Sequence, residues 1–290
     1  MTGVTPTLVV HGGAGSPRDG QVDDQPAHHG ALAAALQAGA AVLDAGGSAL
    51  DAAEAAVRSL EDCPLFNAGR GSVLTSEGRV EMDAAIMDGA TRNAGACAHI
   101  TGIRHPVSLA RCVMEATPHV LLVGPDAEAL GRAQGLEVED PDWFVVGGRH
   151  ATAGEHGTVG AVALDAGGRL AAATSTGGVR GQLPGRVGDT PQIGSGTFAD
   201  DNVAVSCTGT GEQFIRAVAA HEVAALVHHA RVPLSEAASR ALAGLDGGLI
   251  AIGRDGSVAM PFNTALMYRG RAAGGATRTA IWQDEGERHA

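Results

Sequence analysis

The 290-residue chain has 44% hydrophobic residues, enough to build a sizeable folded core, and a formal net charge of −12 spread without a basic stripe. That balance excludes nucleic acid and an anionic membrane surface as partners and leaves a small molecule or a peptide. Lysine is absent altogether, which removes a Schiff-base lysine, a Walker lysine and a Ser-Lys dyad from consideration.

Residues 7–11, TLVVH, predict a short buried strand ending in the glycine-rich HGGAG at 11–15, read as a tight turn or as backbone passing close beside a site. HGGAG lacks the third glycine of GxGxxG and is followed by Pro17, so a nucleotide is not expected there. A helix follows over 31–45 with a glycine C-cap at Gly46 or Gly47; Ser48 then starts a second helix running to Leu60, with Asp51 as its reciprocal capping acid. GSVLT from 71, VEMDAAIMDG and AGACAHI read as successive strands of an antiparallel sheet. Helix 106–117, strand 119–123 and helix 126–134 come next, and 140–157, which lacks periodicity, reads as a surface linker. TVGAVALDAGGRLAAATSTGG predicts a buried hairpin turning at DAGG. The strand VAVSCTGTG, a long helix over 212–230, a helix near 235–244 and a last hairpin turning at Asp255-Gly256 complete the expected elements. Strands, helices and strands again in both halves predict an α/β (α+β) chain with two sheets face to face and helices outside, a four-layer αββα sandwich of one domain.

No stretch reaches the ~18 apolar residues that span a bilayer, and the start MTGVTPTLVVHGGAG lacks a cationic leader, so the expected location is cytoplasmic. Cys63, Cys97, Cys112 and Cys207 are widely spaced without a CxxC and are expected to be reduced, mostly buried thiols. The pairs His28-His29 and His228-His229, with His221, lack HExxH spacing and are expected on solvated helix faces. No GxSxG nucleophile elbow occurs.

Small hydroxyl and glycine residues concentrate after position 157: Thr158, TSTGG at 174–178, PGRVGDTP at 184–191 and CTGTGE at 207–212. Each threonine alone is an ordinary strand residue. Thr158, however, stands first in its strand, directly after Gly157. Breaking the Gly157–Thr158 bond exposes a hydroxyl and an α-amine on one residue. Such an amine titrates near ~7.7–8.0, low enough to serve as base, so Thr158 can be a nucleophile that carries its own base.

HGGAG, CPLFNAGRGS at 63–72, MDAAIMDG at 82–89, GTVGAVALD at 157–165, STGG at 175–178, LPGRVGD at 183–189, SCTGTGE at 206–212 and MPFNT at 260–264 together resemble the plant-type L-asparaginases, or isoaspartyl (β-aspartyl) peptidases, of the N-terminal nucleophile hydrolase superfamily. The resemblance implies autocatalytic cleavage between Gly157 and Thr158, giving fragments 1–157 and 158–290, and hydrolysis of asparagine and β-aspartyl peptides to release aspartate. It implies Thr158 as nucleophile with Thr176 beside it, Arg186 on the substrate α-carboxylate, Asp189 on the α-ammonium and Gly211 lining that pocket. Thr208 and Gly209 would form the oxyanion hole, and Asn67 would approach the nucleophile. Carbonyls of Leu60, Glu61, Cys63, Phe66, Ala68 and Arg70 would hold a structural sodium ion; no catalytic cofactor is implied, and a dimer of cleaved protomers is. The chain departs from the family at GGATRTAIW, 274–282, where a Gly-Asp-Thr-like turn is usual; this bears on rim contacts near Thr277 and Thr279. Its linker is also short. Two rivals stay open: a glycosylasparaginase acting on GlcNAc–Asn, and a non-catalytic binding protein that never cleaves itself.

Overall fold

Strand β1 (Thr7–Gly15) opens the fold of the computed structural model, which describes residues 4–16, 22, 24–146, 156–283 and 288–289. The expected turn at HGGAG is instead strand: β1 runs on to Gly15, and its register against its neighbour slips between His11 and Gly13. Helix α1 (Gln25–Asp44) starts earlier than its hydrophobic pattern suggests, because the Asp24 carboxylate accepts the Ala27 N–H at 3.1 Å and Pro26 suits the first turn. Helix α2 (Ala49–Asp62) is capped as predicted: Ser48 Oγ accepts the Asp51 N–H at 3.1 Å and donates to Asp51 Oδ2 at 2.7 Å.

GSVLT forms no strand. Gly71 sits at φ 112°, and the Val73 N–H donates to Asn67 Oδ1, which ties the segment into a loop. Strands β2 (Met82–Asp88) and β3 (Ala94–Ile100) pair antiparallel, then α3 (Pro106–Ala116), β4 (Leu121–Val123) and α4 (Gly124–Ala133) follow close to expectation. The head of the expected linker is an anchored turn, α5 (Pro141–Phe144), whose Phe144 is fully buried and whose carbonyl accepts the Gly71 N–H. Residues 147–155 of that linker lie outside the described residues, and 156–157 belong to β5 (His156–Leu164).

Strand β6 (Leu170–Val179) completes the predicted hairpin; β7 (Thr197–Ala199), which the sequence does not predict and which pairs antiparallel with the next strand, and the expected β8 (Val203–Gly209) follow. The single long helix expected over 212–230 is two, α6 (Gly211–Ala217) and α7 (Ala219–His228), broken at Val218 with φ 50°. After α8 (Leu234–Leu242) and the hairpin of β9 (Gly247–Gly253) and β10 (Val258–Ala259) come strands absent from the sequence reading: β11 (Leu266–Ala273), β12 (Ala276–Trp282) and β13 (Arg288–His289).

The architecture is mixed α/β with two sheets. Among the described residues one has nine strands in the order β13-β12-β11-β1-β5-β6-β2-β3-β4, with only β3 and β4 parallel, and the other has four, β10-β9-β8-β7. Alternation along the strands sorts side chains into two cores. Leu8, Val10, Val159, Ala161 and Ala173 join α1 and α2 in one, while Val9, Val162, Leu164 and Ala172 join β8, β9, α7 and α8 in the other. Each fully buried Leu, Val or Ile contributes roughly 1.5–3 kcal/mol against exposure. The four-stranded sheet packs through β8 and β9 on β1, β5 and β6, with α7 and α8 on its own strands. Cys97 and Cys207 are buried and Cys63 and Cys112 half-buried. His221, His228 and His229 are exposed as expected, but His28 is buried and stacks on Tyr268 with ring centroids 4.6 Å apart.

Candidate active site

Thr158 lies on the face of the large sheet that meets the small one, in register with Thr176 on the neighbouring strand. The β5–β6 register slips between His156 and Thr158, so an irregularity falls at Gly157. Thr158 Oγ1 donates to Thr176 Oγ1 at 3.2 Å. Thr176 Oγ1 in turn donates to the Gly157 carbonyl at 3.2 Å and accepts the Gly178 N–H at 3.0 Å. Both threonines are buried, so these hydroxyls have few competing waters.

Asn67, from the loop after α2, presses on this bond. A Cβ built on Gly157 would lie 2.8 Å from Asn67 Cβ, so only glycine fits there. The Asn67 amide donates to Gly178 O at 2.7 Å and accepts from Val73 N at 2.9 Å, and its carbonyl accepts the Gly177 N–H. Asn67 thereby fastens the end of β6 against Gly157.

Thr208 and Gly209 end β8. Thr208 is fully buried and its Oγ1 accepts the Ala14 N–H at 3.3 Å, beyond the point where β1 leaves its pairing with β5 at Gly160. Gly209 stands at φ 148°, a conformation that side-chain-bearing residues rarely adopt. Two residues further, Gly211 starts α6 between the two expected substrate-binding side chains: a Cβ there would lie 2.8 Å from Arg186 Nη2 and 2.8 Å from Asp189 Oδ1. Arg186 donates through Nε and Nη2 to the two oxygens of Glu212, at 3.0 and 3.2 Å, and through Nη1 to Gln182 Oε1 at 3.4 Å. The side edge of the guanidinium is thus occupied, and the edge formed by Nη1 and Nη2 retains donors for another carboxylate. Asp189 is buried with Oδ2 unpartnered, and burial pushes its carboxyl up to about 7. Hydrogen bonding to Arg186 holds Glu212 below its ordinary value.

Several residues here were not singled out from the sequence. Glu81 Oε2 accepts the Gly185 N–H at 2.7 Å, and Asp83, opposite Thr176 in register, accepts the Gly188 N–H at 3.2 Å. Burial raises the Asp83 carboxyl to about 6. His11 Nε2 lies 2.8 Å from Ser206 Oγ, which pairs with Thr174 at 2.7 Å; burial drops the His11 pKa to about 3, so the ring is neutral. MDAAIMDG, HGGAG and SCTGTGE contain Asp83, His11, Ser206 and Glu212, but nothing local distinguishes these from strand and loop residues. Thr277 and Thr279 stand in β12, separated from β5 by β11 and β1; Thr279 Oγ1 lies 2.8 Å from His29 Nδ1. Among the described residues no three His, Cys, Asp or Glu side chains gather as a metal site, and no helix is long and apolar enough to cross a membrane.

Comparison with known proteins bears on these positions. The family model described as Asparaginase matches residues 4–156 and 148–281. The chain belongs to the asparaginase family. The resemblance read from its motifs is therefore borne out, and with it the class of enzyme, a hydrolase of that family. Among its asparaginase-family relatives, the isoaspartyl peptidase of Escherichia coli K12 is 46% identical, with 97% of each chain covered. The probable isoaspartyl peptidase/L-asparaginase 2 of Arabidopsis thaliana is 38% identical over 95% of this chain and 98% of its own. The plant-type L-asparaginase of Thermococcus kodakarensis is 42% identical over 76% of this chain and 79% of its own.

Proposed function

We propose that this chain is an autoprocessing threonine hydrolase that releases L-aspartate from L-asparagine and from N-terminal β-aspartyl peptides; relatives named isoaspartyl peptidase and L-asparaginase support the substrate class. One arrangement carries the reading: the Thr158–Thr176 hydroxyl pair set at an irregular glycine whose carbonyl Thr176 already engages. In maturation Thr158 Oγ attacks the Gly157 carbonyl carbon. The C–N bond breaks as an ester forms, and water cleaves the ester to leave a carboxylate on Gly157 and an α-amine on Thr158. The fragments are 1–157 and 158–290, folded together as one four-layer αββα sandwich of the N-terminal nucleophile hydrolase type.

On substrate, the freed amine takes the Thr158 hydroxyl proton as Oγ attacks the side-chain carbonyl, then returns it to the departing ammonia or amino acid as the C–N bond breaks. Water then cleaves the β-aspartyl ester left on Thr158, releasing aspartate and restoring the hydroxyl. The Thr208 hydroxyl and the Gly209 N–H receive the oxyanion, Arg186 grips the α-carboxylate, and Asp189, ionised, pairs with the α-ammonium beside Gly211. Asn67 positions the scissile glycine. In the loop from Leu60 to Arg70, a Cβ on Gly71 would lie 2.6 Å from Phe66 O and 2.9 Å from Pro64 O, so these two carbonyls lie against Gly71, while Glu61 O accepts the Arg70 N–H at 2.7 Å and Leu60 O the Cys63 N–H at 3.2 Å. Carbonyl oxygens are suitable donors for a hard cation. Sodium there would be structural, with carbonyls of Leu60, Glu61, Cys63, Phe66, Ala68 and Arg70 as its holders. A cytoplasmic dimer of cleaved protomers completes the proposal.

The test is intact mass and N-terminal sequencing after incubation, with assays on asparagine, a β-aspartyl dipeptide and a glycoasparagine. The expected new terminus is TVGAV, with turnover of the first two substrates only. A chain that stays whole on storage, or a terminus other than Thr158, overturns the reading.

A further inference from the structure

The loop that carries Arg186 and Asp189 is suspended by its backbone from two acids of another element. Glu81, just ahead of β2, and Asp83, within it, are two residues apart and so rise from the same side of the strand, the side that faces the small sheet. Their side chains are buried, Glu81 to 1% exposure. Glu81 Oε2 accepts the Gly185 N–H at 2.7 Å, and Asp83 Oδ2 accepts the Gly188 N–H at 3.2 Å, so the two acceptors bracket Arg186.

A third residue locks the acids to one another. His99, at the end of β3, donates its backbone N–H to Asp83 Oδ1 at 3.0 Å and places its Nδ1 3.2 Å from Glu81 Oε2. It does so at φ 59°, a conformation that costs a non-glycine residue free energy and persists only where the surroundings enforce it. Gly188 is set so close to Arg186 that a Cβ on it would come 3.0 Å from Nη1, so the backbone held by Asp83 is the backbone against which the guanidinium rests. Asp189 is the next residue.

We propose that Glu81 and Asp83 are positioning residues for substrate recognition, fixing through the Gly185 and Gly188 N–H groups where Arg186 and Asp189 present themselves to the α-carboxylate and α-ammonium of the substrate. The inference rests on the recognition roles given to Arg186 and Asp189 above. Glu81, Asp83 and His99 precede the bond proposed to break, and the loop follows it, so in mature enzyme one fragment aims the recognition groups of the other with no covalent link between them at this point.

Asp83→Asn, Glu81→Gln and Arg186→Lys test this in fully processed enzyme. Asparagine at position 83 offers one oxygen where aspartate offers two, so either the His99 or the Gly188 N–H faces an amide NH₂; glutamine at 81 weakens a charge-assisted bond to Gly185. In each, KM for asparagine and for a β-aspartyl dipeptide should rise by about tenfold while kcat stays within about threefold, the loss of one buried charge-assisted hydrogen bond. Glu81→Asp, which keeps the charge on a shorter arm, should recover part of the loss. Combined with Arg186→Lys, either variant should cost less than the product of the separate effects, because both act through the same guanidinium. A lower melting temperature with unchanged KM would make the acids merely structural and overturn the proposal, as would a fall in kcat alone. If Arg186→Lys itself leaves KM unchanged, the recognition assignment fails instead. Should Asp83→Asn not mature, Glu81→Gln carries the test from the other end of the loop.

Discussion

Replacing Thr176 by valine removes one oxygen and keeps the shape of the side chain, which isolates the hydroxyl that joins Thr158 to the bond it is proposed to cut. That oxygen donates to Gly157 O, accepts from Thr158 Oγ1 and accepts from Gly178 N, all within 3.2 Å and almost out of solvent. The stability cost includes the buried Gly178 N–H left unpaired, about 1–3 kcal/mol, and the lost hydrogen bonds to Thr158 Oγ1 and Gly157 O. A shift of roughly 2–4 °C per kcal/mol for a chain of this order of size leaves the variant folded at room temperature. The kinetic cost is larger. As Thr158 attacks, charge develops on the Gly157 oxygen, and losing a donor already aimed at a developing oxyanion slows reaction roughly 100- to 1,000-fold. The fraction of intact chain over time, read on denaturing gels and by intact mass, measures this directly, and Thr176→Ser should cleave far faster than the valine variant. Self-cleavage of Thr176→Val within tenfold of the unaltered chain, in protein of near-normal melting temperature, would refute the argument that this hydroxyl acts on the scissile carbonyl.

Thr158→Ala should neither cleave nor hydrolyse, whereas Thr158→Ser should retain some of each, as intact mass and aspartate release will read; substantial hydrolysis by the alanine variant would assign the nucleophile elsewhere. Gly160→Ala should destabilise by several kcal/mol, visible as a lowered denaturant midpoint, because its Cβ would collide with Ser206 Oγ and lie 2.5 Å from His11 Nε2 in a packed interior. Binding of L-aspartate to mature enzyme should strengthen as pH rises through about 7, since Asp189 must lose its proton to pair with an ammonium, and Asp189→Asn should flatten that profile. For the unliganded fold the sign reverses. The native state holds this proton more tightly than the unfolded chain, whose carboxyl has the ordinary value of 3.8, so the stability due to Asp189 falls between about 4 and about 7. Melts of the asparagine variant should lose that slope.

Local chemistry made much of this protein legible in its sequence. The Ser48–Asp51 cap and the hairpin turning at DAGG need only neighbours along the chain, and each is found where its residues predict. Thr158, expected first in its strand, is instead third, because His156 already pairs with Val179 ahead of the irregularity at Gly157. Arg186, Asp189 and Gly211 carry their chemistry in their residue types, and they converge. Other features depended on partners far away in sequence. The helix over 212–230 breaks at Val218 without glycine or proline because the Ala220 and His221 N–H groups donate to the Ser195 and Gly194 carbonyls of another loop. HGGAG is strand because β11 lies alongside it, and β11 itself has no clear strand signal in the sequence because its arginines blur the apolar pattern. Arg269 is nevertheless buried, its guanidinium donating to the carbonyls of Met267 and Ile281. Glu81, Asp83 and His99 read as ordinary charged residues until β2, β3 and the 185–189 loop bring them together. A hydrogen bond needs its two atoms within about 3 Å, and no period or propensity along one segment says which distant segment will supply the second atom.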